Sequence, residues 1–193
     1  MAENIHPDFA RFVSREQKEA LLNQKGVVLW LYGMSGSGKS TIATEVERQL
    51  SILDRYTVVL DGDNLRSGLN SDLGFTDEAR NENVRRTAEV AKLFASQGVI
   101  TLISVITPLR KFRQMAREIV GEDFKEIYIK ANYETCAQRD PKGLYAKVAE
   151  GKVANFTGKD SGFEEPEEAD LILDTQTLSP EESASQIVSL IPN

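Results

Sequence analysis

The 193-residue chain has a single cysteine, Cys136, and a single histidine, His6. One thiol cannot close an intrachain disulfide. A structural zinc site needs several Cys or His ligands, which the chain cannot supply. Basic residues are in the minority, with 23 Lys and Arg against 30 Asp and Glu, a net charge of −7. The cationic field that nucleic acid or an anionic membrane surface requires is therefore missing, although a local basic pocket for a small anion stays open. Long apolar runs are also lacking. The longest, Val99 to Ile106, is interrupted by Thr101 and Ser104, far short of the ~20 residues that span a bilayer. The N-terminus is polar and lacks the apolar core of a secretory signal. These absences predict a cytoplasmic protein with no nucleic-acid and no membrane partner.

In place of repeats or linkers, the chain alternates strand and helix signals. Residues 1–25 read as an N-terminal helical arm, with a capping box at Ser14-Arg15-Glu16-Gln17. From residue 26 to 193 the pattern is one domain. Val27 to Tyr32, Thr57 to Leu60, Val99 to Ile106, Phe124 to Ala131 and Leu171 to Leu173 are apolar runs that suit buried parallel strands. Thr41 to Leu53, Arg80 to Gln97, Phe112 to Val120, Tyr133 to Arg139 and the segment opened by Ser179-Pro180-Glu181-Glu182 carry helix signals. Such alternation predicts an α/β fold with helices on both faces of a parallel sheet. Residues 140–169 break it, with four glycines and no long apolar run. A loop of that length predicts a lid, placed at about 140–165.

Gly33-Met34-Ser35-Gly36-Ser37-Gly38-Lys39-Ser40 satisfies GxxxxGK[ST] at every fixed position, between a strand and a helix. Glycines there let backbone N–H groups turn inward around a polyphosphate, and the helix N-terminus adds partial positive charge. Lys39 is expected on the β- and γ-phosphates of ATP and the Ser40 hydroxyl on Mg²⁺. The alternative is a flexible Gly/Ser turn. No NKxD tetrapeptide of a guanine switch is present, and the strand ending at Ile106 brings no aspartate. An acidic pair follows the second strand instead, in Asp61-Gly62-Asp63-Asn64. At the C-terminal end of a parallel strand, where ligands bind, one carboxylate can hold magnesium's water shell and the other can orient an attacking hydroxyl. The same tetrapeptide also suits a polar turn. Arg66, and Arg80 with Asn83 one helical turn apart, offer forks for phosphate or sulfate oxygens. Phe75 and Phe156, in poorly apolar surroundings, suit either base stacking or core packing.

Several separated blocks together resemble the adenylylsulfate kinase family: Gly33 to Thr41, Asp61-Gly62-Asp63-Asn64-Leu65-Arg66, Asp72-Leu73-Gly74-Phe75, Glu82-Asn83-Val84-Arg85-Arg86, Arg139-Asp140-Pro141-Lys142-Gly143-Leu144-Tyr145 and Phe156-Thr157-Gly158. The resemblance implies a P-loop nucleotide-kinase-like three-layer sandwich with a five-stranded parallel sheet, a lid, and a homodimer. The activity it implies is transfer of phosphate from ATP to the ribose 3′-hydroxyl of adenosine 5′-phosphosulfate. Asp63, Lys39 and Asp61 would be catalytic, with Asp61 and Ser40 on the metal. Arg139 would lie on the ATP side with the loop through Thr41. Arg66, Arg80 and Asn83 would hold phosphosulfate and ribose, and Phe75 and Phe156 would sandwich adenine. Lys142 and Leu144 would line the acceptor pocket, with Asn64, Ile106, Thr107 and Thr157 completing the set. The chain departs from the family pattern at three places. Thr107 stands for the serine of Ile-Ser-Pro, Ala79 stands for an acid, and Gly158 to Phe163 lacks an acid-Pro-Tyr run. A kinase for another hydroxyl acceptor, or a nucleotide-binding regulatory module, is the alternative.

Overall fold

A computed structural model describes residues 11–152, 156–158 and 162–192. The first ten residues of the expected arm, His6 among them, and residues 153–155 and 159–161 of the expected lid lie outside the described residues. Five parallel strands form one sheet: β1 (Val27–Tyr32), β2 (Thr57–Asp61), β3 (Ile100–Ser104), β4 (Phe124–Lys130) and β5 (Leu171–Asp174), in the order β2-β3-β1-β4-β5. β1 is central, with Leu29 opposite Leu102 on one side and Lys125 on the other. All six of its residues are buried, which explains an apolar run without alternation. Its side chains serve two cores in turn. Val27, Leu29 and Leu31 meet α2 (Lys39–Ile52) and α8 (Pro180–Val188). Val28, Trp30 and Tyr32 meet α4 (Asp77–Ala95) and α5 (Arg110–Val120). The result is the expected three-layer α/β sandwich.

The N-terminal segment is tied down by polar contacts. In α1 (Arg15–Leu22), Ser14 accepts the Gln17 N–H and the Gln17 side chain returns to Ser14, closing the expected capping box. The buried Glu19 carboxylate accepts the Gly26 N–H and pairs with Arg15 and Lys25. Its pKa falls to about 2, because burial, which would raise it, is outweighed by these donors. The helix therefore packs at the base of β1, opposite the strand ends that carry the glycine-rich loop.

Two segments read as loop carry helix. Asp61-Gly62-Asp63-Asn64 runs into α3 (Gly62–Ser67), started by the Asp61 carboxylate accepting the Asp63 N–H at 3.0 Å. Inside residues 140–169 lies α7 (Leu144–Ala149), whose Tyr145 and Ala146 N–H groups both reach the Asp140 carboxylate at 3.1 Å. Helices of six residues repeat too few turns to show periodicity. α6 (Tyr133–Arg139) is as expected. α4 starts three residues earlier than expected because Thr76 caps the Ala79 N–H. The third strand ends at Ser104 rather than Ile106, although Val105 and Ile106 continue its hydrogen bonds to Leu31 and Gly33.

Gly26 marks the tightest fit at the base of the sheet: a Cβ there would stand 2.0 Å from the Ala95 carbonyl oxygen. Gly26→Ala is expected to cost about 3 kcal/mol of stability, the upper range for overpacking, read from the urea midpoint.

Candidate active site

One cavity of about 980 Å³ opens at the C-terminal edge of the sheet. The loop after β1 forms one part of its floor. Gly33, Gly36 and Gly38 have φ of +152°, +79° and +106°. A Cβ on Gly33 would lie 2.4 Å from the Ile129 oxygen and one on Gly36 2.8 Å from the Cys136 oxygen. Left-handed backbone and missing side chains are both needed for this turn. Ser35, Gly36, Gly38, Lys39, Ser40 and Thr41 line the cavity, while Gly33, Met34 and Ser37 shape the loop behind it.

Lys39, at the start of α2, is buried. Its ammonium donates to the Gly33 and Met34 carbonyls at 3.0 and 2.8 Å. Burial first, then the charge of Lys142, pushes its pKa down to about 8. A desolvated cation at the head of a helix favours an anion.

Beside it, Ser40 Oγ donates to Asp61 Oδ2 at 2.7 Å and lies 3.2 Å from Ser104 Oγ. Burial would raise the Asp61 pKa, but hydrogen bonds from the Ser40 hydroxyl and the Asp63 N–H outweigh it and hold the group ionised. No cluster of three His, Cys, Asp or Glu occurs among the described residues. A hydroxyl and an ionised carboxylate side by side fit Mg²⁺, which keeps most of its waters and takes one or two protein oxygens beside phosphates.

The other end of the cavity carries the expected acceptor residues. Asp63 is 67% exposed on its side chain and pairs with Lys142. The Arg66 guanidinium lies 4.4 Å from the Phe75 ring centre and donates to the Leu73 and Gly74 carbonyls. Arg80 donates to Phe75 O and to Thr157 Oγ1 at 2.7 Å. Burial lowers the pKa of both arginines, and at Arg80 the neighbouring Arg66 charge adds to it. Asn83 accepts from Asn70 at 3.1 Å. Phe75 is 59% exposed and Phe156 is 7% exposed. Phe156 meets Tyr145 edge-on at 4.8 Å, so it serves the core and the cavity wall together. Ile106, Thr107 and Leu144 also line it, whereas Asn64, exposed on α3, does not.

Arg139 bridges the loop and the sheet end, donating to Gly36 O, Ser37 O and Thr175. Thr175, Leu178, Pro180 and Ser183 also line the cavity, and the sequence reading missed all four, as it missed Ser104. Thr175 follows β5 directly and Ser104 ends β3, so the rule that ligands sit at strand C-termini would have found both. Ser183 gives no such signal.

The model of the family described as adenylylsulphate kinase matches residues 25–174. The adenylyl-sulfate kinase of Phocaeicola vulgatus is 52% identical over 190 residues, covering 98% of this chain and 93% of that protein. That of Clostridium acetobutylicum is 48% identical over 179 residues, covering 93% and 90%. The chain belongs to the adenylylsulfate kinase family. The structure of the Mycobacterium tuberculosis APS kinase CysC in complex with AMPPNP and APS superposes with a TM-score of 0.83 at 44% identity, over 86% of this chain and 98% of that one. Within this adenylylsulfate kinase the buried Lys39 predicts a pH signature. Bound phosphate favours the charged lysine, so it raises the pKa from about 8. Nucleotide binding at or above pH 8 is expected to take up protons, and affinity to fall as pH rises through that value. Calorimetry in buffers of different ionisation enthalpy checks both, and Lys39→Met is expected to abolish the uptake.

Proposed function

We propose that the chain transfers the γ-phosphoryl group of ATP to the ribose 3′-hydroxyl of adenosine 5′-phosphosulfate, giving 3′-phosphoadenosine 5′-phosphosulfate and ADP. The observation that carries the reading is a single cavity with an anion-binding loop at one end and Asp63, Arg66, Phe75, Arg80 and Asn83 at the other. Phosphoryl transfer asks the protein for positioning and charge stabilisation more than for covalent chemistry, and the two ends supply them separately.

At the donor end the N–H groups of residues 33–40 and the Lys39 ammonium hold the phosphates, with Arg139 on the nucleotide side. Ser40 and Asp61 would hold Mg²⁺, which neutralises phosphate charge when bound. At the acceptor end Arg66, Arg80 and Asn83 hold the phosphosulfate and ribose. Phe75 and Phe156 flank the adenine. The Asp63 carboxylate accepts the hydroxyl proton or orients the hydroxyl toward the γ-phosphorus. For that it must leave Lys142, which then turns to the substrate's anionic groups. The segment 140–165 acts as a lid that excludes water and so limits ATP hydrolysis. Residues 26–193 are the kinase domain and residues 1–25 an arm. The reading extends to a homodimer in the cytoplasm, without nucleic-acid or membrane partners. No helix among the described residues is long and apolar enough to cross a membrane.

Coupled ADP release with a panel of hydroxyl acceptors tests the substrate, with the product's phosphate position mapped by NMR. Turnover of a sugar or nucleoside in preference to adenosine 5′-phosphosulfate would overturn it. Asp63→Ala is expected to lose roughly 10²- to 10⁴-fold in kcat, and near-normal turnover would remove Asp63 from the role. Phe75→Ala is expected to weaken acceptor binding by about 1–3 kcal/mol, the scale of one stacked base, with ATP binding unchanged. Light scattering tests the dimer.

A further inference from the structure

Thr107 holds a backbone conformation that its side chain resists. Its φ is +42°, and a β-branched residue in the left-handed region is strained. The other non-glycine positions of positive φ among the described residues are Asn23 and Asp54, types that tolerate it. Strain of this kind persists only where the surroundings over-determine the conformation. Two side chains do so here. The Trp30 indole N–H donates to Thr107 Oγ1 at 3.0 Å. Arg113, on α5, donates from Nη1 to the Thr107 carbonyl at 3.0 Å and to the Pro108 carbonyl at 3.3 Å.

The same guanidinium reaches one segment further. Its Nη2 donates to the Glu164 carbonyl at 2.8 Å, and the Glu164 N–H returns to Pro108 O at 2.9 Å. Glu164 stands at the far end of the 140–165 segment. Arg113 is 2% exposed, lies 3.2 Å from Glu126 Oε1, and sits 4.5 Å from the Tyr32 ring centre. Thr107 and Pro108 line the cavity, and Arg113 does not. A buried ion pair is weak grounds for stability, since an apolar replacement is often neutral. A planar fork that bridges three carbonyls is a different matter, because lysine, with a single point of charge, cannot copy it.

We propose that Arg113 is a positioning residue for acceptor binding. It ties the strained Thr107–Pro108 wall of the cavity to the Glu164 end of the lid segment, so that wall and lid base form one rigid seat. The inference rests on the proposed function for the identity of the acceptor, not for the coupling itself.

Arg113→Lys keeps a charge beside Glu126 and loses the fork. It is expected to lower kcat/KM for adenosine 5′-phosphosulfate about 10²-fold, the scale of an ångström of misplacement, mainly through KM. Melting temperature is expected to fall by only a few degrees, for the carbonyls that lose their donor, and ATP affinity to hold. Trp30 is the chain's one tryptophan, so its emission reads the Thr107 wall without substrate and is expected to shift. Arg113→Met combined with Glu126→Gln strands no buried charge, because Arg117, which also pairs with Glu126, keeps Asp170, and it is expected to behave alike. An unchanged acceptor KM in both variants overturns the proposal, whatever the emission does. Parallel loss of ATP affinity, or a collapsed melting temperature in both, assigns Arg113 to the fold and overturns it too. If the wild-type enzyme ignores adenosine 5′-phosphosulfate, the proposed function fails instead. Trp30 emission then decides alone: a shift in both folded variants supports the coupling and no shift overturns it.

Discussion

Burial opposes the charge of Lys39, and the backbone around it is arranged to keep that charge in place. Two carbonyls of the glycine-rich loop, Gly33 and Met34, hold the ammonium. They can do so because the loop leaves a strand with no solvent contact along its length. β1 is clamped between β3 and β4, and each face is sealed by a separate apolar core. A rigid support of this kind lets donors and charge stand ready before the anion arrives, so little reorganisation is required when it does.

The same strand edge supplies the rest of the site. Asp61 ends β2 opposite Ser104 of β3, and that register brings the carboxylate to the Ser40 hydroxyl. Asp61 also starts α3, whose first turn carries Asp63 and whose last carries Arg66. One residue thus joins the glycine-rich-loop end of the cavity to the end that carries Asp63 and Arg66. A chain of net charge −7 nevertheless concentrates Lys39, Arg66, Arg80, Arg139 and Lys142 around one cavity. Local placement, not overall charge, sets what such a pocket attracts.

Much of this was legible in advance. The loop could be read because its glycines have no substitutes: a Cβ on Gly33 or Gly36 would strike backbone oxygen. The strands could be read because burial on both faces leaves an unbroken apolar signal. α3 and α7 escaped notice because each has six residues, and a nearby carboxylate that accepts first-turn N–H groups, not an apolar stripe, marks its start. Phe156 was open between stacking and packing, and the fold buries it against Tyr145 at the wall of the cavity. Arg113 drew no notice in the sequence, because its burial between Tyr32 and Glu126 depends on contacts distant in the chain.

The sequence by itself determined the phosphate loop, the count of strands and the carboxylates and arginines of the cavity. These follow from local rules: sterics that only glycine escapes, runs that only a covered strand tolerates, and carboxylates and arginines spaced within a few residues. Tertiary structure alone decided which of them share a cavity. It paired Asp63 with Lys142, set Thr175 beside Arg139, brought Ser183 to the same cavity, and locked Thr107 into a strained turn between Trp30 and Arg113. Those contacts join residues from different elements, and strand order and register, not spacing along the chain, bring them together.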